Sequence, residues 1–148
     1  MQYSIGEAAK KMNISTATLR YYDQEGLIPF VQRTSGGARV FSDEDFRWLR
    51  LISCLKKAGM PLKDIRRYIE MTVQGKDTIE DRLQMFLDQK EKIRQQMQQL
   101  QQTLDVVEYK CWYYETAIAQ GSEQIPKEMP TELVPEEHRQ VRQWLRQE

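Results

Sequence analysis

The feature that most constrains the fold is a heptad series of apolar residues in the second half of the chain. From Ile79 to Ile118 the series has steps that alternate between four and three, with Lys90 as its one charged member, and mostly glutamine and charged residues fill the other positions. This spacing forms one narrow apolar stripe on a long helix, which needs a second helix to cover it. The sequence therefore predicts a homodimer held by a coiled coil. Its predicted seam consists of Leu83, Phe86, Ile93, Met97, Leu100, Leu104 and Val107.

Two short capped helices are predicted near the start of the chain. Ser4 and Glu7 have the spacing of a capping box, which would open a helix that runs to about Met12. Ser15 can cap a second helix over 16–25, since Gly26 can end it. Two short helices joined by a tight turn are typical of a helix-turn-helix, although this spacing alone also fits any small helical hairpin.

A small wing is predicted after these helices. Phe30-Val31 and 39–41 flank a turn-forming cluster that contains two glycines, so they are predicted to pair as a β-hairpin. Two more helices follow. One spans about 43–58 and is opened by Ser42 with Asp45, and the other begins near Pro61.

These patterns predict a mostly α chain in three parts. Residues 1–75 would form a winged helix-turn-helix head, and 76–120 the long dimerisation helix. The prolines of 121–148 indicate a tail with one short helix. The inward face of that last helix is expected to carry Val141, Trp144 and Leu145.

Charge is divided between the two halves of a chain whose formal net charge is zero. Residues 1–75 hold 12 Lys and Arg against 8 Asp and Glu, whereas residues 76–148 hold 10 against 14. A basic head permits attraction to phosphates without making the whole molecule adhesive. We expect a cytoplasmic protein without a membrane partner, because no apolar run has the length of a membrane span and the start lacks a signal-peptide core.

The sequence gives little support to catalysis. The single histidine, His138, lies in the polar tail, and no paired carboxylates, phosphate-binding loop or metal motif accompany it. We therefore expect no enzyme, no metal and no cofactor.

The second helix carries side chains suited to entering a DNA groove. Thr16 and Thr18 are short enough to approach base edges, and Arg20 can bond a phosphate or a guanine edge. The hydroxyl group of Tyr21 can bind a phosphate. Two further residues of this helix are expected in the core, namely Leu19 and Tyr22.

Three strings of this sequence resemble the MerR family of transcription regulators: YSIGEAAKKMNISTATLRYYDQEGLI, GGARVFSDED and LRLISCLKKAGMPLKDIRRYI. The resemblance implies a two-fold dimer on a palindromic operator in double-stranded promoter DNA, with the second helices in successive major grooves. It implies that Arg33 and Arg39 of the wing and Lys63 hold phosphates. It also implies that bound DNA is bent and untwisted so that RNA polymerase can engage the promoter.

The resemblance also bears on the signal that the protein detects. Metal-sensing relatives place a cysteine near the start of the dimer helix and others in a loop past its end. Here Thr78-Ile79 and a tail without cysteine occupy those places, which disfavours metal sensing. The segment SCLKKAGMPLKDIRRYIE instead resembles the subgroup that responds to aldehydes, nitric oxide and related thiol stress through one cysteine in the third helix.

Cys54 is that cysteine, and three cations share its helical face at i−7, i−4 and i+3. Neighbouring cations favour the reactive thiolate form. Cys54 is therefore predicted to be the sensor thiol, at a site that borders the core, and a packed core cysteine is the alternative. Cys111 occupies a seam position and is expected to be an apolar filler. The three cations are Arg47, Arg50 and Lys57.

Two other functions remain open. A small lipophilic ligand could bind in a pocket between the end of the dimer helix and the last helix. A coiled-coil interaction protein that does not bind DNA would explain the heptads, but not the capped helices, the wing or the basic head. The proposed pocket would be lined by Trp112, Tyr113, Tyr114 and Trp144.

Overall fold

The computed structural model describes residues 1–146, most of which are helical. Two compact units form, Met1–Lys90 and a second that begins at Glu91. The helices are α1 Ile5–Met12, α2 Thr16–Gln24, α3 Asp45–Lys57, α4 Leu62–Gln74, α5 Ile79–Gln120, α6 Gln124–Glu128 and α7 Glu136–Arg146. The strands are β1 Gln2–Ser4, β2 Gln32–Arg33 and β3 Arg39–Ser42.

The first two helices begin and end at the residues that their local sequence favours. The backbone N–H of Ser4 donates to Glu7 Oε2 at 2.8 Å, and the Ser4 hydroxyl accepts from the Glu7 N–H at 3.4 Å. Asn13 ends α1 in the left-handed region at φ 53°. The Ser15 hydroxyl caps α2, and Gly26 at φ 70° follows its end. These elements confirm the predicted helix-turn-helix to within one residue.

The wing belongs to a three-stranded antiparallel sheet of order β1-β3-β2, whereas the sequence predicted only a hairpin. The prediction missed β1 because three residues before a helix are too few to show a strand pattern. It also placed the first wing strand too early, at Phe30-Val31. Val31 is buried in the core, and the Phe30 ring lies 5.3 Å from that of Trp48. Both residues serve the core, so strand pairing begins only at Gln32.

The core of the first unit lies between α1–α4 and the sheet. Leu19 and Tyr22 are buried, as predicted, and Phe41 from β3 is completely enclosed. The predicted Ser42–Asp45 contact is present, with the Ser42 N–H donating to Asp45 Oδ2 at 2.7 Å. Helix α3 nevertheless starts at Asp45, about two residues later than predicted.

The beginning of α5 packs on the head, and this corrects one predicted seam residue. Phe86 is half-buried against the head core, with its ring 5.0 Å from that of Tyr68 in an edge-to-face arrangement. A heptad series cannot show that the first turns of α5 face the head of their own chain. Packing on the head and packing against a second helix in a dimer both need the same apolar spacing. Leu83 and the later seam residues Met97, Leu100, Leu104 and Val107 are exposed, and Ile93 is half-buried.

The last helix packs on the end of α5 through a different face from the one predicted. His138 lies beside Tyr109 and Trp112, with ring centroids 6.1 and 5.7 Å apart. Trp144 is 62% exposed and Leu145 is also exposed, so their predicted inward position is wrong. The inward positions of α7 include His138, Val141 and a fully buried arginine, Arg142.

The two terminal nitrogens of the Arg142 guanidinium are satisfied by main-chain carbonyl groups, whereas its buried Nε has no partner among the described residues. Its Nη1 donates to the carbonyl of Pro126 at 3.4 Å, and its Nη2 donates to those of Lys127 and Met129. A prediction of inward helix positions from the spacing of apolar residues misses such a position, because it assigns arginine to the solvent-facing side.

No helix within residues 1–146 has both the length and the apolar character needed to cross a membrane.

Candidate nucleic-acid interface and reactive thiol

Helix α2 presents a continuous exposed stripe. Arg20 and Tyr21 lie on it, as the sequence predicted, whereas Thr16 and Thr18 are half-buried. The Thr18 hydroxyl lies 2.9 Å from the Ser15 hydroxyl, so it also belongs to the cap of its own helix. Ala17 and Gln24 complete the stripe, but the sequence analysis missed them. The i, i+3, i+4, i+7 spacing of Ala17, Arg20, Tyr21 and Gln24 is the signal that identifies them.

The wing is fixed to α2 through Asp23. Arg33 Nη2 donates to Asp23 Oδ2 at 2.8 Å, and Arg39 pairs with the other carboxylate oxygen of Asp23. Arg39 also donates to the carbonyl of Val31 at 2.7 Å. The sequence analysis missed Asp23, although it is the only acidic residue of α2.

The two wing arginines therefore occupy different environments. The side chain of Arg33 is 52% exposed, whereas that of Arg39 is 16% exposed. Burial lowers the pKa of Arg39, but a guanidinium stays charged at neutral pH. Arg33 can still offer donors to a phosphate, whereas Arg39 mainly holds the wing to α2. Lys63, the third predicted phosphate contact, is exposed in the first turn of α4.

Cys54 is exposed on α3, which corrects the prediction that it borders the core. Leu49, Ile52 and Leu55 supply the buried face of this helix, and the thiol lies away from them. The three cations that share its face are exposed as well. Arg47, Arg50, Cys54 and Lys57 thus form a solvent-facing stripe, which we call the α3 stripe.

The end of α5 carries an exposed apolar groove on one helix face. Cys111 is exposed there, and Trp144 is not among the groove residues. Trp112 and Tyr113 are directed elsewhere, since Trp112 stacks near His138 and Tyr113 is buried. The structure therefore does not bring together the four aromatic residues of the predicted ligand pocket. The groove is lined by Val106, Val107, Lys110, Cys111, Tyr114, Glu115 and Ile118.

Among the residues that the structure describes, no group of three His, Cys, Asp or Glu side chains is arranged to hold a metal ion.

Two family models match this chain. Residues 3–72 match the model described as MerR HTH family regulatory protein, and residues 46–108 match the model described as MerR, DNA binding. Together they cover the head and much of α5.

Individual relatives give the same result. An uncharacterized HTH-type transcriptional regulator of Haemophilus influenzae is 48% identical over 122 residues, which are 82% of this chain and 90% of the relative. The regulator AdhR of Bacillus subtilis is 33% identical over 90 residues, 61% of this chain and 64% of the relative.

Solved structures match as well. HiNmlR, a MerR family regulator that lacks the sensor domain and was crystallised bound to promoter DNA, is 48% identical. The match covers 84% of this chain and 98% of HiNmlR, with a TM-score of 0.74. A MerR family regulator from Bacillus thuringiensis is 36% identical, with 75% and 97% coverage and a TM-score of 0.67. The chain belongs to the MerR family of DNA-binding transcription regulators.

Proposed function

We propose that this protein is a homodimeric MerR-type regulator that responds to thiol-reactive electrophiles such as aldehydes, or to nitrosative and oxidative stress, through Cys54. The observation that carries the proposal is the α3 stripe, where an exposed thiol lies among three exposed cations on a helix of the DNA-binding head. Cations stabilise a thiolate, which is the nucleophilic form.

The exposed face of α5 supports the homodimer. Leu100, Leu104 and Val107 are apolar yet exposed along a single helix face. Tyr109, which packs toward α7, lies two residues after Val107 and thus about 200° around the helix. The tail therefore covers the opposite side of α5 and leaves the apolar face for a second copy of the chain.

Promoter binding follows from the head. The exposed stripe of α2 has the length and chemistry that a major groove accepts, and the wing offers Arg33 beside it. HiNmlR, which was crystallised on promoter DNA, supports the same use here. Two heads related by two-fold symmetry would read a palindromic operator. We include in the proposal that the bound DNA is bent and untwisted so that RNA polymerase can engage it.

HiNmlR lacks the sensor domain, and 98% of it matches this chain, so we place the reactive group on the DNA-binding head itself. An aldehyde would react by addition of the Cys54 sulfur to the carbonyl carbon, while the thiol proton goes to the carbonyl oxygen. The product is a neutral hemithioacetal. It adds bulk within the α3 stripe and converts the thiol into a group that can no longer act as a nucleophile.

Arg20→Ala tests the DNA-binding part of the proposal. Loss of a bidentate contact to a guanine edge should weaken binding to the operator by about tenfold or more, with a smaller effect on unrelated DNA. A gel-shift titration against competitor DNA measures both affinities. Lys92→Ala, at an exposed position of α5, is the control and should bind like the wild type. Equal loss on every sequence would show that Arg20 contacts phosphate only.

Cys54→Ala tests the sensing part. Transcription in vitro from the target promoter should rise with formaldehyde or a nitric oxide donor for the wild type, and stay at its basal level for the variant. Cys111→Ala is the matched control, because its thiol is also exposed but lies on α5. A normal response by Cys54→Ala would overturn Cys54 sensing, and a response to a lipophilic compound alone would favour a ligand pocket.

A further inference from the structure

Helix α3 ends in a motif that leaves the carbonyl groups of its final residues, including that of Ala58, without a helical donor. Gly59 has φ 81°, and its N–H donates to the carbonyl of Lys56 at 3.0 Å. The N–H of Met60 donates to the carbonyl of Leu55 at 3.0 Å. This pair of bonds is a Schellman motif, which satisfies the two earlier carbonyls and leaves that of Ala58 for an outside donor.

Gln89 of α5 is that donor. Its Nε2 donates to the carbonyl of Ala58 at 3.0 Å, and the side chain is only 6% exposed. Glutamine is abundant on α5, but Gln89 is the buried one among the described residues. A buried polar side chain is costly unless it is hydrogen-bonded, so this bond fixes the position of α5 against the end of α3.

Ala58 also lies one helical turn from Cys54. The N–H of Ala58 donates to the carbonyl of Cys54 at 2.9 Å. Cys54, Ala58 and Gln89 are thus joined by two successive hydrogen bonds through one residue.

A second junction fastens α5 to α4 and does not involve α3. The Thr78 hydroxyl donates to the carbonyl of Met71 at 2.6 Å and lies 2.9 Å from that of Gly75, to which Arg82 Nη2 donates at 3.1 Å. Because this junction is separate, the start of α5 stays attached to the head when the hydrogen bond between Gln89 and Ala58 weakens. The Gln89 bond is the polar link between the described parts of α5 and the helix that carries Cys54.

We propose that Gln89 is the positioning residue that couples the chemical state of Cys54 to helix α5. This inference rests on the proposed function, since it needs Cys54 to be modified. In this coupling the cations of the α3 stripe rearrange around the adduct, and the last turn of α3, where Lys57 directly precedes Ala58, shifts with them. Because a hydrogen bond weakens steeply with misalignment, α5 shifts its position at Gln89 while the α4 junction acts as the pivot.

Gln89→Leu tests this coupling in a Cys111→Ala background, with formaldehyde as the probe. Leucine approximates the size of glutamine but cannot donate. We expect the variant to bind operator DNA normally and to form the Cys54 adduct at the wild-type rate by mass spectrometry. Because the bond that holds α5 is already absent, basal transcription should rise toward the induced level, and the ratio of induced to basal transcription should fall by about tenfold, a typical size for coupling between two sites. Gln84→Leu, at an exposed position of the same helix, should respond like the parent.

Hydrogen exchange on the unsubstituted protein gives an independent measurement. Formaldehyde should increase amide exchange in residues 79–90 of the unsubstituted protein, and no change should occur in Cys54→Ala. Full induction by Gln89→Leu while Cys54→Ala stays uninduced would overturn the role of Gln89 and leave the proposed function intact. Full induction by both variants would overturn the proposed function itself. If Gln89→Leu does not fold, unchanged exchange in the unsubstituted protein overturns the coupling.

Discussion

Replacing Leu104 with glutamate is expected to convert the dimer into monomers and to weaken operator binding by about a hundredfold. Leu104 is 46% exposed, so the substitution removes little packing within one chain. In the dimer it would bury a carboxylate in an apolar seam, which costs at least about 3 kcal/mol without a partner. A monomer presents one head to a two-fold operator and loses the second set of contacts.

Sedimentation velocity measures the oligomeric state, and fluorescence anisotropy with labelled operator measures the affinity. Gln102→Glu is the matched control, since it adds the same charge two residues away at an exposed position on another face of α5. It should remain dimeric. A dimeric Leu104→Glu protein with normal affinity would place the interface elsewhere.

Asp23→Ala is expected to lower the free energy of unfolding by about 2 to 4 kcal/mol, because it leaves the partly buried Arg39 guanidinium without its carboxylate. The side chain of Asp23 is 22% exposed, so solvent relieves part of the cost of breaking a fully buried pair. Arg33 loses the same anchor, and we expect the detached wing to weaken operator binding as well.

Urea denaturation measures the stability of this variant against that of Glu25→Ala. Glu25 pairs with Arg66 at 2.6 Å on a more exposed surface, where such a pair contributes less than about 1 kcal/mol. Equal losses in the two variants would contradict a special role of Asp23 in holding the wing.

Local signals made much of the head predictable. A cap acts through residues three or four positions away, so Ser4, Ser15 and Gly26 locate helix ends without knowledge of the rest of the fold. The α2 stripe was identified in part for the same reason, since Arg20 and Tyr21 lie on one helix turn.

The corrections concern residues whose surroundings come from distant parts of the chain. Phe86 meets Tyr68 of α4, and Arg39 meets Asp23 of α2. Cys54 is predicted to border the core because Leu51 and Ala58 share its helical face, but its side chain is exposed. In α7 the buried side chain is that of Arg142, so a prediction from hydrophobic spacing wrongly placed Trp144 on the inward face. Periodicity gives the faces of an element and not the partner that each face meets.

The arginines of α7 bind main-chain oxygens rather than acidic side chains. Arg139 donates to the carbonyls of Val134 and Glu132, and Arg146 donates to that of Lys127 at 2.5 Å. Carbonyl oxygens carry no net charge and attract no counterion atmosphere. DNA phosphates do, and they release their counterions when protein cations bind. Raising the ionic strength should therefore release the protein from DNA long before it loosens the tail, so salt can separate the two kinds of arginine contact.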